Sequence, residues 1–516
     1  MGLDFGEQFD ATFENALAAA GYGKFHYILV IFGGLLYAYA AISITVLSFV
    51  LPSAQCDFGM TSSDKGWLNA APMLGMVFGS YFWGCLADTQ GRKITLIGAL
   101  LVDGLCGIAS SVAQYYGVFL ALRFINGFAV TGTLGICFPY LGEFQPTAYR
   151  EKVLCWLEMF WTGGIIVLPA VAWLLIPLNL RIETPYFLYS SWNLFVTLVS
   201  VPSILLALWL TRFPESPKFL FECGEYDQAL DILRQMFSAN TGKEIEHYPV
   251  KSLREKPHRI SIVSMTSTKS NKSILRSRKA MKALLAEIKF QTGELFNHDH
   301  RKNIILACFI QFGLTCSYYT LMLWFPELFN RYEKFEHLHP GKVASVCDVS
   351  ALQPADNSTV ATCSGEVNPE VFSHTLIIGL ACIPSSLAMP LLVHKMGAKW
   401  FLVAGLVLSS GVAMALYYVQ TSTQNLILSC IFEALTGCCI SVVYCIMVDL
   451  FPTNLRVLAA ALSSTFGRFG GLTGNLMFGF LIDGHCLILI CTLAAMLLIA
   501  GVFSMFLPAT GKKELD

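Results

Sequence analysis

Apolar runs of about twenty residues, the length a helix needs to cross a bilayer, recur twelve times along the chain. They fall near 25–51, 66–87, 94–113, 116–140, 153–176, 190–211, 303–329, 371–393, 398–419, 423–448, 457–482 and 485–508. The runs are continuous rather than alternating, which predicts spanning helices and not barrel strands. Polar connectors are short except in two places, 212–302 and 330–370. The pattern predicts an all-α membrane protein of two six-helix bundles, 25–211 and 303–508. A segment 1–24 precedes the first bundle, a linker 212–302 with short helices joins the two, and a tail 509–516 follows the second. Within the linker, FECGEYDQALDILRQMF has the spacing of an amphipathic helix.

Charge sets the expected orientation. The linker holds half of the 34 Lys and Arg, and the short connectors DTQGRK, PTAYREK, HKMGAK and PTNLR lie on its side. Basic connectors mark the cytosolic face, so both termini are expected in the cytosol, in a vesicle or the plasma membrane. The stretch MGLDFGEQFD is acidic where a signal peptide needs basic residues. The segment 330–370 then lies outside, where Asn357 is a glycosylation candidate in Asn-Ser-Thr. Cys347 and Cys363 share that segment and either form a disulfide or stay free. The other cysteines read as small apolar helix residues.

Composition narrows the function. The chain is 55% hydrophobic and 13% charged with net charge -1, against about 25% charged in a soluble domain. A nucleic-acid partner would want a basic face. The expected partners are the lipid bilayer and a small-molecule solute, with the chain a monomer. No G-x-x-x-x-G-K-[ST], H-E-x-x-H or G-x-S-x-G is present, so neither ATP drive nor these hydrolytic chemistries are expected, and no cofactor or metal is.

The chain also repeats itself. EFQPTAYR, Glu143 to Arg150, follows the fourth run, and DLFPTNLR, Asp449 to Arg456, follows the tenth. Equivalent positions in both halves predict parallel six-helix repeats. GCLADTQGRK, with Gly84, Asp88, Gly91 and Arg92, resembles the signature of the major facilitator superfamily between helices two and three. Arg123 with Gly127 resembles its helix-four motif, and FPESPKFL, with Glu215, the motif after helix six. ENALAAAGYGKFH, FVLPSA and MFWTGG resemble the synaptic vesicle glycoproteins and their vesicle-associated relatives. The resemblance implies the major facilitator fold, with solute transport by alternating access and organic ions favoured. It leaves open a non-transporting membrane protein that keeps the fold. Relatives of this kind carry an Asp and a Glu in helix one, where this chain has Ala40 and Ser43. Proton coupling through that pair is therefore not expected.

The resemblance implies that Asp88, Arg92, Glu143, Arg150, Asp449 and Arg456 latch the cytosolic gate. The alternative is that they are topogenic loop charges. Charges within apolar runs are costly unless paired or hydrated, which singles out Asp103, Glu158, Glu433 and Arg468. Asp103 and Arg123 are expected as a structural ion pair. Glu158 suits a gate or a cavity. Glu433 and Arg468 are expected to form a buried pair, substrate-sensitive or static. Tyr37, Tyr39, Trp161, Gln311, Tyr318, Tyr319 and Trp324 are the polar and aromatic candidates for a cavity that holds cationic or aromatic solutes, each with helix packing as its alternative. Trp324 and Trp83, near the ends of their runs, also suit the interfacial belt. The pairs Gly75–Gly79, Gly467–Gly471 and Gly470–Gly474 read as small-residue packing faces.

Overall fold

The computed structural model describes residues 9–178, 180–253, 292–339, 344–351, 367–451 and 453–508. The apolar runs become twelve helices. The first six are α1 (Lys24–Ser53), α2 (Ser62–Gln90), α3 (Arg92–Ser111), α4 (Tyr116–Glu143), α5 (Thr147–Leu175) and α6 (Ser191–Leu210). The second six are α7 (His298–Leu338), α8 (Pro369–Met396), α9 (Ala398–Ala415), α10 (Ser422–Leu450), α11 (Thr453–Leu481) and α12 (Cys486–Met505). Eleven of them are long and apolar enough to cross a membrane. The exception is α11, whose apolar character Arg468, Asn475 and its glycines dilute.

Packing repeats with a period of six helices. In the first half α1 packs on α5, α2 on α4, and α3 on α4 and α6. In the second half α7 packs on α11, α8 on α10, and α9 on α10 and α12. The halves meet through α2 with α11 and α5 with α8, two contacts that the same six-helix shift interchanges, and through α1 with α7. Because the helices alternate in direction, the starts of α1 and α7 and the end of α12 share one face, here the termini face. The opposite side is the far face.

Glycines permit the tightest crossings. A Cβ on Gly75 would collide with the backbone of Phe124 and Phe128, and one on Gly127 with Pro72, so α2 and α4 touch backbone to backbone. Gly470 and Gly474 place α11 against the α7 carbonyls of Phe312 and Cys316. Gly66 and Gly479 close the α2–α11 crossing at the far face.

Under the termini face, the helix Tyr226–Thr241 buries Leu230, Leu233 and Phe237 along one side. Its Asn240 accepts a hydrogen bond from the Phe25 amide (3.1 Å) and donates to the carbonyls of Ala20 and Gly21. Strand Val250–Leu253 pairs in parallel with Phe9–Ala11, so linker and N-terminal segment fold together beneath α1. On the far face Arg181–Thr184 and Phe187–Ser190 form an antiparallel hairpin between α5 and α6.

Two expectations need correction here. Cys347 does not pair with Cys363: it is bonded to Cys486, 139 residues away. The short helix Val346–Ala351 is laid over the start of α12, which brings Cys347 to Cys486. Cys56 is disulfide-bonded as well, while Cys363 and Asn357 lie outside the described residues. The seventh apolar run, expected to end near residue 329, continues as helix through Leu338. Arg331 and Glu333, which end the hydropathy signal, are buried by partners on other helices.

Candidate functional site

Five helices bring polar side chains together at the interface of the halves. From the first half, the Tyr37 hydroxyl (α1) donates to Glu158 Oε1 (α5) at 3.3 Å, and its ring lies 5.1 Å from that of Trp161. From the second half, Tyr318 and Tyr319 (α7) stand edge to face at 5.0 Å. Tyr318 neighbours Glu433 on α10. Tyr319 lies within electrostatic reach of Glu433, Arg468 (α11), Tyr444 (α10) and, across the interface, Glu158. The Tyr444 hydroxyl is 3.4 Å from Ser464 Oγ.

Within this chamber Glu433 and Arg468 do not form the expected ion pair. Arg468 Nη1 is turned toward the thioether of Met76 on α2, and its buried Nε has no hydrogen-bond partner among the described residues. Glu433 is 3% exposed, and neither of its oxygens is engaged in a well-formed hydrogen bond. Tyr39 is absent from the chamber, although Tyr37 is present. Two residues along a helix turn the side chain by about 200°, and Tyr39 faces Asp103 inside the first half. Gln311 is buried in the α7–α11 seam, where a Cβ on Gly467 would meet its Cγ. Trp324 is in the same seam, with Nε1 donating to Asn475 (3.1 Å) and its ring stacked on Phe478. Trp83 is also no belt residue. Because α2 runs on to Gln90, its ring is covered by α4 and its Nε1 donates to the Phe128 carbonyl (2.8 Å).

Asp103 and Arg123 are both buried but not joined by an ion-pair contact among the described residues. Asp103 accepts from Ser43 (3.2 Å), Ser203 (3.4 Å) and Asn126. Arg123 donates to Ser110 (2.8 Å) and lies over the Phe119 ring. The two charges act on each other through space.

The far face holds a cluster that hydropathy did not flag. Lys65 Nζ (α2) donates to Glu327 Oε1 (α7) at 2.5 Å and to Gln55 at 3.0 Å. Arg331, one turn beyond Glu327, donates to that same oxygen (3.1 Å), to Asp483 after α11 (2.9 Å) and to Ser62 (2.8 Å). Lys65 and Glu327 are 1% exposed and Arg331 is 2%. This lock ties the first half to the second beside the Gly66–Gly479 crossing. A valine at Gly66 would meet the backbone of Asn475 and Gly479. Gly66→Val is expected to cost about 1–3 kcal/mol, read as a lower Tm of the purified protein.

On the termini face the signature residues bind locally. Arg92 pairs with Asp88, with Glu143 (3.5 Å) and with the face of Phe219. Arg150 does not reach Glu143. It caps the end of α4 through the carbonyls of Gly142 (3.0 Å) and Gln145 and contacts Glu14 (3.4 Å). Gly91 has φ 105°, and a Cβ there would strike Glu215, which is one reason for glycine at this position. The Glu215 carboxylate accepts from the Lys93 amide with both oxygens, at 2.9 and 3.2 Å, tying the linker to the start of α3. Gly84 has open space around it. The side chains of Asp449 and Arg456 lie outside the described ones. Glu215→Ala is expected to cost about 1–2 kcal/mol. Hydrogen exchange at the Lys93 amide and along Pro217–Glu222 checks this, with faster exchange expected.

Comparison with known proteins agrees with this architecture. The family described as "Sugar (and other) transporter" matches residues 26–333. Synaptic vesicle glycoprotein 2C of Mus musculus is 32% identical over 340 residues, 64% of this chain and 46% of the relative. Synaptic vesicle glycoprotein 2B of Homo sapiens is 32% identical over 66% of this chain and 50% of its own. The chain thus spans about half the length of these curated relatives. Among solved structures, the xylose transporter XylE from E. coli in a partially occluded inward-open conformation is similar with a TM-score of 0.63. Its identity is 16%, with 95% of this chain and 98% of that one covered. The inward-open form of the same transporter gives 0.62.

Proposed function

Because the chain belongs to the sugar (and other) transporter family of the major facilitator superfamily, we propose that it moves a small organic ion across its membrane by alternating access. One observation carries this reading: among the described residues, ion pairs join the halves not at the termini face but at the far face. Lys65, Glu327, Arg331 and Asp483 join the halves there. On the termini face, the ion pairs of Arg92 and Arg150 stay within the first half and its N-terminal segment. An interface ion-locked at the far face, with no such lock among the described residues of the termini face, fits one of the two states that alternating access requires. The basic linker and connectors put the termini face in the cytosol, so this state faces inward. Glu158, Glu433 and Arg468 favour an ion over a neutral solute, since each presents a charge that a neutral ligand leaves uncompensated.

A second reading is favoured by one specific feature. Helix α1 contains no carboxylate between Lys24 and Ser53, so a coupling acid on that helix is missing. The chain would then be a membrane binding protein that keeps the fold, in line with its similarity to synaptic vesicle glycoproteins. Exchange in proteoliposomes decides between them. Liposomes preloaded with a mixture of organic cations, anions and zwitterions should accelerate entry of at least one labelled member. Solute-induced thermal shifts without any exchange would establish the binding protein.

A further inference from the structure

We propose, on the transport reading above, that the chamber takes a zwitterion: an organic solute with one ammonium and one carboxylate group. The observation is a pair of opposite charges that share one chamber without neutralising each other. Glu433 is buried with no ion-pair partner among the described residues, and neither oxygen has a well-formed hydrogen bond. Arg468, on the adjoining helix α11, has no carboxylate partner among the described residues either. Its Nη1 contacts the Met76 sulfur, a weak acceptor.

Glu433 neighbours Tyr318, whose ring meets that of Tyr319 at 5.0 Å, and Tyr319 packs against Gly471, one turn along α11 from Arg468. Unpaired charge withdrawn from water is unfavourable, and the two deficits, at buried Glu433 and at half-buried Arg468 with its buried Nε, are opposite in sign. A plain cation would satisfy Glu433 and leave Arg468 as it is. A plain anion would do the reverse, and a neutral sugar would relieve neither. An ammonium next to Glu433 also meets the faces of Tyr318 and Tyr319, while the planar fork of Arg468 suits a carboxylate. The remaining acid, Glu158, is already engaged by the Tyr37 hydroxyl.

The test is direct binding to the full-length protein in detergent, by thermal shift and calorimetry. The probes are glycine, β-alanine and 5-aminovalerate, which differ in charge separation, with n-butylammonium, butyrate and D-glucose as single-feature controls. At least one amino acid should bind tenfold or more tightly than both monovalent ions, the size expected for one charge-assisted contact. Arg468→Met should erase that advantage and keep butylammonium. Glu433→Gln should erase it and keep butyrate. Should a variant fail to fold, the comparison on the native protein decides alone. Equal binding of butylammonium and the amino acids overturns the inference, as do a preference for butyrate or glucose and silence toward every probe. Exchange without zwitterion preference sinks this inference and leaves transport standing. Zwitterion binding without exchange does the opposite.

Discussion

Glu327→Gln opens the far face. The substitution keeps the shape of the side chain and removes the single negative charge between Lys65 and Arg331. Among the described residues, Asp483, 33% exposed, is then the remaining carboxylate paired with that site. Removing one partner of a buried pair costs about 3–5 kcal/mol, since the remaining charge stays desolvated. The penalty falls on the closed arrangement, because parting α2 from α7 lets water reach both cations. The closed-to-open ratio should drop by a factor of about a hundred or more. Spin labels at Tyr115 and Tyr418 read it: both side chains are strongly exposed on the far face, one in each half. The distance between them should lengthen in Glu327→Gln. The double substitution Lys65→Met with Glu327→Leu should shorten it again, since replacing both charges by apolar groups is often neutral or stabilising. An unchanged distance in the single variant would mean that the cluster is packing and not a gate.

The helices were legible because a spanning helix announces itself by length and apolarity, both local properties. The eight-residue grammar shared by the corners after the fourth and tenth helices pointed to the repeat for the same reason, and the packing follows that repeat pair by pair. The far-face lock was not legible. Lys65 and Glu327 are 262 residues apart, and each marks where a hydropathy run begins or fades. A charge at such a place reads as the water boundary unless its partner is known, and only the fold supplies the partner. The Cys347–Cys486 bridge was hidden likewise, since Cys486 opens an apolar helix and Cys347 sits in a polar loop. Tyr37 and Tyr39 were a different case. Their spacing alone puts them on opposite sides of α1, so helical periodicity was enough to send one to the chamber and the other to Asp103. Around this cluster, the cost of charge in apolar runs singled out Glu158, Glu433 and Arg468, and the aromatic pattern singled out Tyr37, Trp161, Tyr318 and Tyr319. Tyr444 and Met76 carry no such cost, and nothing in the chain order distinguished them from packing residues.

Asp103→Leu produces the largest loss of stability within the first half. Asp103 is fully buried and accepts from Ser43, Ser203 and Asn126, so its charge is held by neutral donors. Arg123, 2% exposed, is held by Ser110 and the Phe119 ring. Each ion has local hydrogen bonds, yet neither has a counter-ion in contact among the described residues, so their neutralisation runs across the space between α3 and α4. Leucine at position 103 leaves Arg123 as an uncompensated buried cation and takes the acceptor from Ser43 and Asn126, while Ser203 keeps the Leu100 carbonyl. The expected cost is again about 3–5 kcal/mol, seen as a fall of several degrees in Tm. Arg123→Leu alone should fall for the mirror reason. The double substitution to Leu at both positions discriminates the mechanism, because it removes both charges at once. Charges coupled through space predict a double variant more stable than the sum of the two losses, by about 1–3 kcal/mol. Strict additivity would show that the serine and asparagine donors hold Asp103 by themselves. Arg123 would then be fixed by Ser110 and Phe119 alone.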